Sequence, residues 1–133
     1  MSDVEQHYRL RRLEVVSRVG GARVHVGISE DSMHREAVTT GAEPLAAAFA
    51  AIESLVEWRI ELEEVNIRSM TPGIYTVGEV RARVNGERFT GRGAAPDIVN
   101  AGVHAYLQVL NQAVHARELE AEALERASYL WGV

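Results

Sequence analysis

The chain has 133 residues, 47% of them hydrophobic and 25% charged. That describes one ordinary domain, able to bury about two thirds of its unfolded surface. Its 14 Lys and Arg face 19 Asp and Glu, a formal net charge of −5, which argues against a nucleic-acid or anionic-membrane surface because phosphates need the opposite field. With no cysteine, disulfides, thiolate metal sites and cysteine nucleophiles are excluded.

Residues 1–7 are polar and are expected to be loose, without the basic start and apolar core of a signal peptide. No apolar run approaches the length of a membrane span, so a cytoplasmic location is expected. From 8 to 16 the pattern is strand-like, with Tyr8, Leu10, Leu13 and Val15 on one face. The phase slips at Arg11–Arg12, as a bulge would make it do. Gly20–Gly21 marks a tight turn. Residues 22–29 then alternate, Val24, Val26 and Ile28 against Arg23, His25 and Gly27. A polar turn and a third short strand, 35–40, follow.

Gly41-Ala42-Glu43-Pro44 changes the period. Pro44 suits a first helical turn, where its missing N–H costs nothing, and Leu45, Phe49, Ile52 and Val56 then recur at helical spacing. Residues 58–69 return to strand, with Ile60 and Leu62 on one phase, Val65 and Ile67 on the other, and a slip at Glu63–Glu64. After a loop at 71–73, residues 77–84 alternate, Asn85-Gly86 signals a hairpin, and 87–90 pairs back. Gly91-Arg92-Gly93 is read as the lead into a helix from about Pro96 to at least His115. The Ala-, Glu- and Leu-rich stretch from Arg117 continues it or forms a short helix of its own.

Gly41-Ala42-Glu43-Pro44 and Gly93-Ala94-Ala95-Pro96 repeat one Gly-Ala-x-Pro pattern 52 positions apart, each after three strands and before a helix. The expected fold is therefore α+β: two pseudo-symmetric β-β-β-α units, about 8–57 and 58–116, followed by a helical extension at 117–133. The second helix is apolar on two faces, Ile98, Ala101, Ala105 and Val109 beside Val99, Val103, Tyr106 and Leu110. A helix apolar over most of its circumference is buried on more than one side. In so small a domain that implies a partner chain, an intertwined or face-packed homodimer.

Chemistry is sparse. His7, His25, His34, His104 and His115 share no metal-ligand spacing with one another, so no metal or cofactor is expected. Asp97 is placed in the first helical turn, where it meets the helix dipole. Glu61, Glu63 and Glu64 read as a solvated strand face. Arg9, Arg11 and Arg12 form a short basic patch without the interleaved aromatics of a single-strand nucleic-acid site. No nucleophile–base pair stands out, so a binding domain is expected rather than an enzyme. The two helix starts, at 41–45 and 93–97, offer free backbone N–H groups to a carboxylate, and a free amino acid is the obvious small molecule that carries one.

The run from Gly91 to Val99, with Ala105-Tyr106-Leu107 and Leu110-Asn111, resembles the end of the C-terminal regulatory domain of 2-isopropylmalate synthases, which also occurs in citramalate synthases. Residues 40–47, Thr-Gly-Ala-Glu-Pro-Leu-Ala-Ala, resemble that domain's Gly-Asn-Gly-Pro helix start, and Gly78-Glu79-Val80 and Phe89-Thr90-Gly91 also fit. The resemblance implies a homodimer of paired β-β-β-α units that binds leucine or isoleucine near the dimer interface and regulates a separate catalytic barrel. It also implies ligand-binding residues: Gly41, Ala42, Leu45 and Ala46 at the first helix, and Leu62, Val65, Ser69 and Thr76 on the following strand and loop. Ala42 and Glu43 stand where the family has Asn and Gly. A carboxylate at Glu43 repels a docking ligand carboxylate by about 1 kcal/mol unless it is solvated or paired. Ser69 and Thr76 make the pocket more polar than a leucine site. The catalytic barrel is missing, so the chain is either an excised fragment of such a synthase or a stand-alone regulator of a separately encoded one, and Met1-Ser2-Asp3 at its start with a tail after Asn111 slightly favours the second. The rival reading is a ligand-free dimerisation or scaffold module that docks a partner protein through its C-terminal helix.

Overall fold

The computed structural model describes residues 6–71 and 74–131. Residues 1–5 of the expected loose start, Pro72-Gly73 of the expected loop and the last two residues of the tail lie outside the described residues. Three strands, β1 (Tyr8–Arg18), β2 (Gly21–Glu30) and β3 (Met33–Gly41), form an antiparallel sheet in chain order and lead into helix α1 (Pro44–Leu55). β4 (Ile60–Thr71), β5 (Tyr75–Val84) and β6 (Glu87–Ala95) repeat the arrangement and lead into α2 (Ile98–Trp131). This is the α+β, twice-used β-β-β-α fold expected from the repeat.

Local chemistry accounts for the joints. The register breaks between Leu10 and Arg12 in β1 and between Leu62 and Glu64 in β4, so the two phase slips are β-bulges at Arg11 and Glu63. Asn85 and Gly86, at φ 50° and 90°, make the turn between β5 and β6. Gly20, at φ 85°, sits in the first hairpin, and Gly21 opens β2 rather than completing the turn.

The structural repeat is not the sequence repeat. The bulges are 52 positions apart, but Pro44 and Ile98, the first residues of the two helices, are 54 apart. The β4–β5 hairpin carries two more residues than the β1–β2 hairpin it corresponds to. Gly93-Ala94-Ala95 therefore belongs to β6 instead of leading into a helix, Pro96 precedes the helix, and Asp97 is the counterpart of Glu43.

Each helix covers one sheet. α2 lies so close to β5 and β6 that a Cβ at Gly91 would collide with the Ala105 carbonyl oxygen. At Gly93 it would sit 2.7 Å from Ala101 O, and at Gly78 2.8 Å from the same atom. This is the work of the Gly91-Arg92-Gly93 run: bare backbone where the helix touches the sheet. Under α1 the position equivalent to Gly93 is Thr39, whose hydroxyl donates to the Ala47 carbonyl at 2.6 Å.

The helices meet where Leu45 rests on Gly102 and Phe49 stacks on Tyr106, ring centroids 4.5 Å apart. Both contacts advance by four residues in the same sense, so the helices run in one direction with their N-termini at one end. The core holds Val24, Val26, Ile28, Ile52, Val80, Val103 and Leu110. Both apolar faces of α2 up to Val114 are thus covered within the chain, one by its sheet and the other by α1. Ile98 is the exception, 54% exposed. Beyond Ala116 the helix runs on unbroken and exposed, and His115 lies within it rather than near its end.

Candidate functional site

Both helices begin at the same end of the molecule, but their N-termini differ. Every α-helix leaves its first N–H groups without intrahelical partners. At α2, the Asp97 carboxylate accepts the Asn100 N–H at 2.9 Å and the Asn100 side-chain amide at 2.8 Å, an N-cap that satisfies one of the end's backbone donors. The cap is sharper than the loose first-turn charge expected for Asp97. At α1, Glu43 holds the N-cap position without a side-chain bond, and the first turn contains no acid. The first helical bond runs from Ala47 N–H to Glu43 O at 3.0 Å. Pro44 has no N–H, so Leu45 and Ala46 are the uncapped donors, with Gly41 and Ala42 before them at the end of β3.

Ala42 and Ala46 are exposed, and Gly41 and Leu45 half-buried. Through Leu45 this corner reaches Gly102, whose backbone backs onto Gly78 of β5. Two residues back on the same face is Thr76, 2% exposed, with its hydroxyl 3.5 Å from the Pro96 carbonyl. Ser69 pairs across the ladder with Thr76. The anticipated residues Gly41, Ala42, Leu45, Ala46, Ser69 and Thr76 therefore occupy the end of the fold where both helices start. Val65 lies midway along β4, opposite Val80, and Leu62 is opposite Ala82, roughly 20 Å along the strand from Ser69. Leu62 is 48% exposed and does not reach the α1 corner in its own chain.

Several charged groups form ion pairs on the sheets. Glu63, at the β4 bulge, accepts Arg88 at 2.6 Å and Arg83 at 3.1 Å, and hydrogen bonding to Arg88 holds its carboxyl below the ordinary carboxylate range. Glu64 takes Arg81 at 2.5 Å, and His25 meets Glu36 at 2.5 Å. Among the described residues no group of three His, Asp or Glu is placed to hold a metal ion. Tyr8 and Tyr106 are pushed up chiefly by burial. Tyr8 accepts the Trp58 indole N–H at 2.8 Å, an interior bond between units rather than a reactive pair.

Comparison with known proteins identifies the family. The family model of the LeuA allosteric (dimerisation) domain matches residues 1–114. The chain belongs to that family. Its relatives include 2-isopropylmalate synthase of Nitrosococcus oceani, 36% identical over 116 residues that make up 85% of this chain and 23% of the relative. The Nitrosomonas europaea synthase is 35% identical over 111 residues, 81% of this chain and 22% of its own. The Nitrosospira multiformis synthase is 33% identical over 127 residues, 93% and 24%. The chain thus spans about a quarter of the length of the curated relatives it matches. It corresponds to the regulatory domain and not to the catalytic part.

Sequence reading missed three features of this LeuA-type domain. The Asp97–Asn100 cap was legible as an Asp three residues before an amide. Gly102 as the seat of Leu45 carried no signal, because a glycine inside a helix does not name its neighbour. The third is Asn111, 6% exposed, whose side chain accepts the Tyr8 N–H at 2.7 Å and donates to the Tyr8 carbonyl at 3.1 Å.

Proposed function

We propose that this LeuA-type domain binds a small amino acid or keto acid of the branched-chain type and, as a homodimer, regulates a synthase of the 2-isopropylmalate synthase kind supplied by a separate chain. The reading rests on the open N-terminus of α1 beside the capped one of α2. One helix end carries a side-chain cap, the Asp97 carboxylate on the Asn100 N–H. The other keeps the Leu45 and Ala46 N–H groups and the positive pole of the dipole for a ligand carboxylate. Gly41, Ala42, Leu45 and Ala46 hold the carboxylate end, and Ser69, Thr76 and Val65 flank the side chain. Leu62 reaches this corner only from the partner chain of the dimer. Glu43 weakens binding, and a ligand ammonium group placed toward it turns that repulsion into a pairing.

The test is a thermal-shift series with leucine, isoleucine, valine and lysine and the matched keto acids. At a hundredfold excess over Kd, binding adds about 2.7 kcal/mol and raises the melting point by several degrees. A selective shift that disappears in Ala46→Pro, which removes one donor, supports the reading. No shift with any of the ligands removes the ligand part.

One observation favours a second reading, a scaffold that docks a partner protein through its last helix. Leu119, Leu124 and Leu130 on the extended end of α2 are 51%, 68% and 78% exposed. Under that reading, truncation after Ala116 abolishes capture of the synthase while any effect of amino acids on the melting point is unchanged.

A further inference from the structure

α2 does more than cover its sheet: its amide side chains stop the open edges of two strands. Asn111 takes both backbone groups of Tyr8 on β1. Gln112 donates to the Thr90 carbonyl at 2.7 Å, and the Gln108 side-chain oxygen accepts the Arg92 N–H, both on β6. These bonds also fix which way the edges face. Backbone groups alternate along a strand, so Leu10, two residues after Tyr8, and Ala94, two after Arg92, direct their N–H and C=O away from their own sheets. Among the described residues neither receives a side-chain plug. An open edge of this kind is a template for another extended chain.

Leu10, Arg92 and Ala94 line one cleft of about 500 Å³, walled by β1, β6 and α2. Its other charged or titratable walls are Arg9, Arg11, His104 and Tyr8, and no Asp or Glu lines it. In a chain of net charge −5 that is a local reversal of sign. Arg11 is held by Ser29 at 3.0 Å and Arg92 by Glu79 at 2.7 Å. Arg9 and His104 have no described ion-pair partner. The basic patch that was too short for nucleic acid thus contributes two of its three arginines to this cleft, while Arg12 turns to Glu14 and Glu36 on the sheet surface.

We propose that the cleft between the open edges of β1 and β6 binds a short extended acidic segment of a partner protein by strand addition. Main-chain bonds to Leu10 or Ala94 supply the register, and Arg9, Arg11 and Arg92 select alternating acidic side chains. The plugs at Tyr8, Thr90 and Arg92 limit the docked length to a few residues. This inference does not depend on the amino-acid site at α1, which lies on other residues.

The probe is a blocked pentapeptide of alternating glutamate and valine, titrated into the isotopically labelled protein and followed by backbone amide NMR. Three comparators are used: the lysine–valine peptide, the fully N-methylated glutamate–valine peptide and succinate. The acidic peptide is expected to shift the Leu10 and Ala94 amides, to slow their hydrogen exchange, and to bind at least tenfold tighter than each comparator. Arg9→Glu, at an exposed position, is expected to weaken binding at least fivefold while the rest of the spectrum stays unchanged. Three results each overturn the proposal: no shift at millimolar peptide, equal binding of the lysine peptide, or equal binding of the N-methylated peptide or succinate. The last would mark a site for small anions only.

Discussion

Replacing Gly91 by alanine tests the central packing claim, that α2 is seated on bare backbone. A Cβ at Gly91 would meet the Ala105 carbonyl oxygen in a severe clash, Val109 N at 2.8 Å and Val109 Cγ2 at 2.9 Å. Two of these three atoms are helix backbone, which no rotamer change can move aside. Val109 N lies about 0.7 Å inside the ~3.5 Å at which non-bonded atoms settle, so the helix must lift by at least that much. A gap of this size forfeits a quarter to a half of each dispersion contact beneath the helix, and Ala101, Ala105 and Val109 are all fully buried there. Overpacking of a tight core costs about 1–3 kcal/mol, and the rigid backbone contact places Gly91→Ala at about 3 kcal/mol.

The control is Gly102→Ala. Its nearest obstacle is Leu45 Cδ1 at 2.5 Å, the far end of a flexible side chain. Alanine also gains about 0.8–1 kcal/mol over glycine inside a helix, so the net change is expected within about 1 kcal/mol. Urea unfolding and thermal melting, each followed by far-UV circular dichroism, measure both variants. The expected melting-point loss is about 10 °C for Gly91→Ala and no more than a few degrees for Gly102→Ala. If Gly91→Ala lies within 0.5 kcal/mol of the parent, the glycines are not what lets α2 approach, and the account of β6 fails.

Asn111→Ala strands two buried backbone groups of Tyr8 and is expected to cost about 2–4 kcal/mol in urea unfolding. Glu43→Ala removes the repulsion at the α1 corner and should tighten binding of a keto acid, which has no ammonium group to pair with Glu43, by about fivefold, read by calorimetry. The Glu63 carboxyl is held low in the folded state. Its contribution to stability is therefore present at neutral pH and is lost as the pH falls through its depressed folded value, from just below the ordinary carboxylate pKa of about 4.3 downward. A carboxyl NMR titration with a midpoint at or above 4.3 would contradict this. Truncation after Ala116 removes the exposed stretch 117–130 of α2, including the side-chain contact of Arg117 over the Trp58 ring at 5.3 Å, and is expected to leave the melting point within a few degrees.

The hairpins and bulges were legible because each makes a demand that few residues meet. Asn85-Gly86 supplies two positive φ angles, and the slips at Arg11 and Glu63 mark the one extra residue that a bulge inserts. The length of β6 was not legible. Gly91 and Gly93 look like breakers when read along the chain, and only the helix lying across them shows that they are contact points. The start of α2 was misplaced by two residues for a related reason: the matching Gly-Ala-x-Pro runs sit in different structural registers once the β4–β5 hairpin adds its residues. At the candidate site, the backbone half at Gly41–Ala46 could be read from local rules. The strand half depends on register across β4 and β5, which no local pattern encodes, and so the distance of Leu62 from the α1 corner was invisible.

The departure from symmetry between the two units has a consequence for where a ligand can act. In the second unit, Gly78, Gly91 and Gly93 let α2 sit on its sheet at backbone contact, and Asp97 caps the Asn100 N–H at its N-terminus. The same positions in the first unit are Val24, Ala37 and Thr39. α1 therefore rests on side chains, tied at this end by the Thr39 hydroxyl to Ala47. Its N-terminus is open, and Glu43 is one methylene too long for the cap that Asp97 makes. A helix held by side chains can shift by rotamer changes that a helix seated on glycine backbone cannot make. Under the proposed reading, a ligand held at the Leu45 and Ala46 N–H groups would act on the helix that rests on side chains, which touches α2 through the Leu45–Gly102 and Phe49–Tyr106 contacts. Substituting Glu43 by Asp, which restores the shorter cap, is expected to occupy the α1 donors from within. The variant should raise the melting point by a few degrees and abolish the shift caused by any ligand of this corner. A more stable variant whose ligand response is unchanged would place the ligand elsewhere.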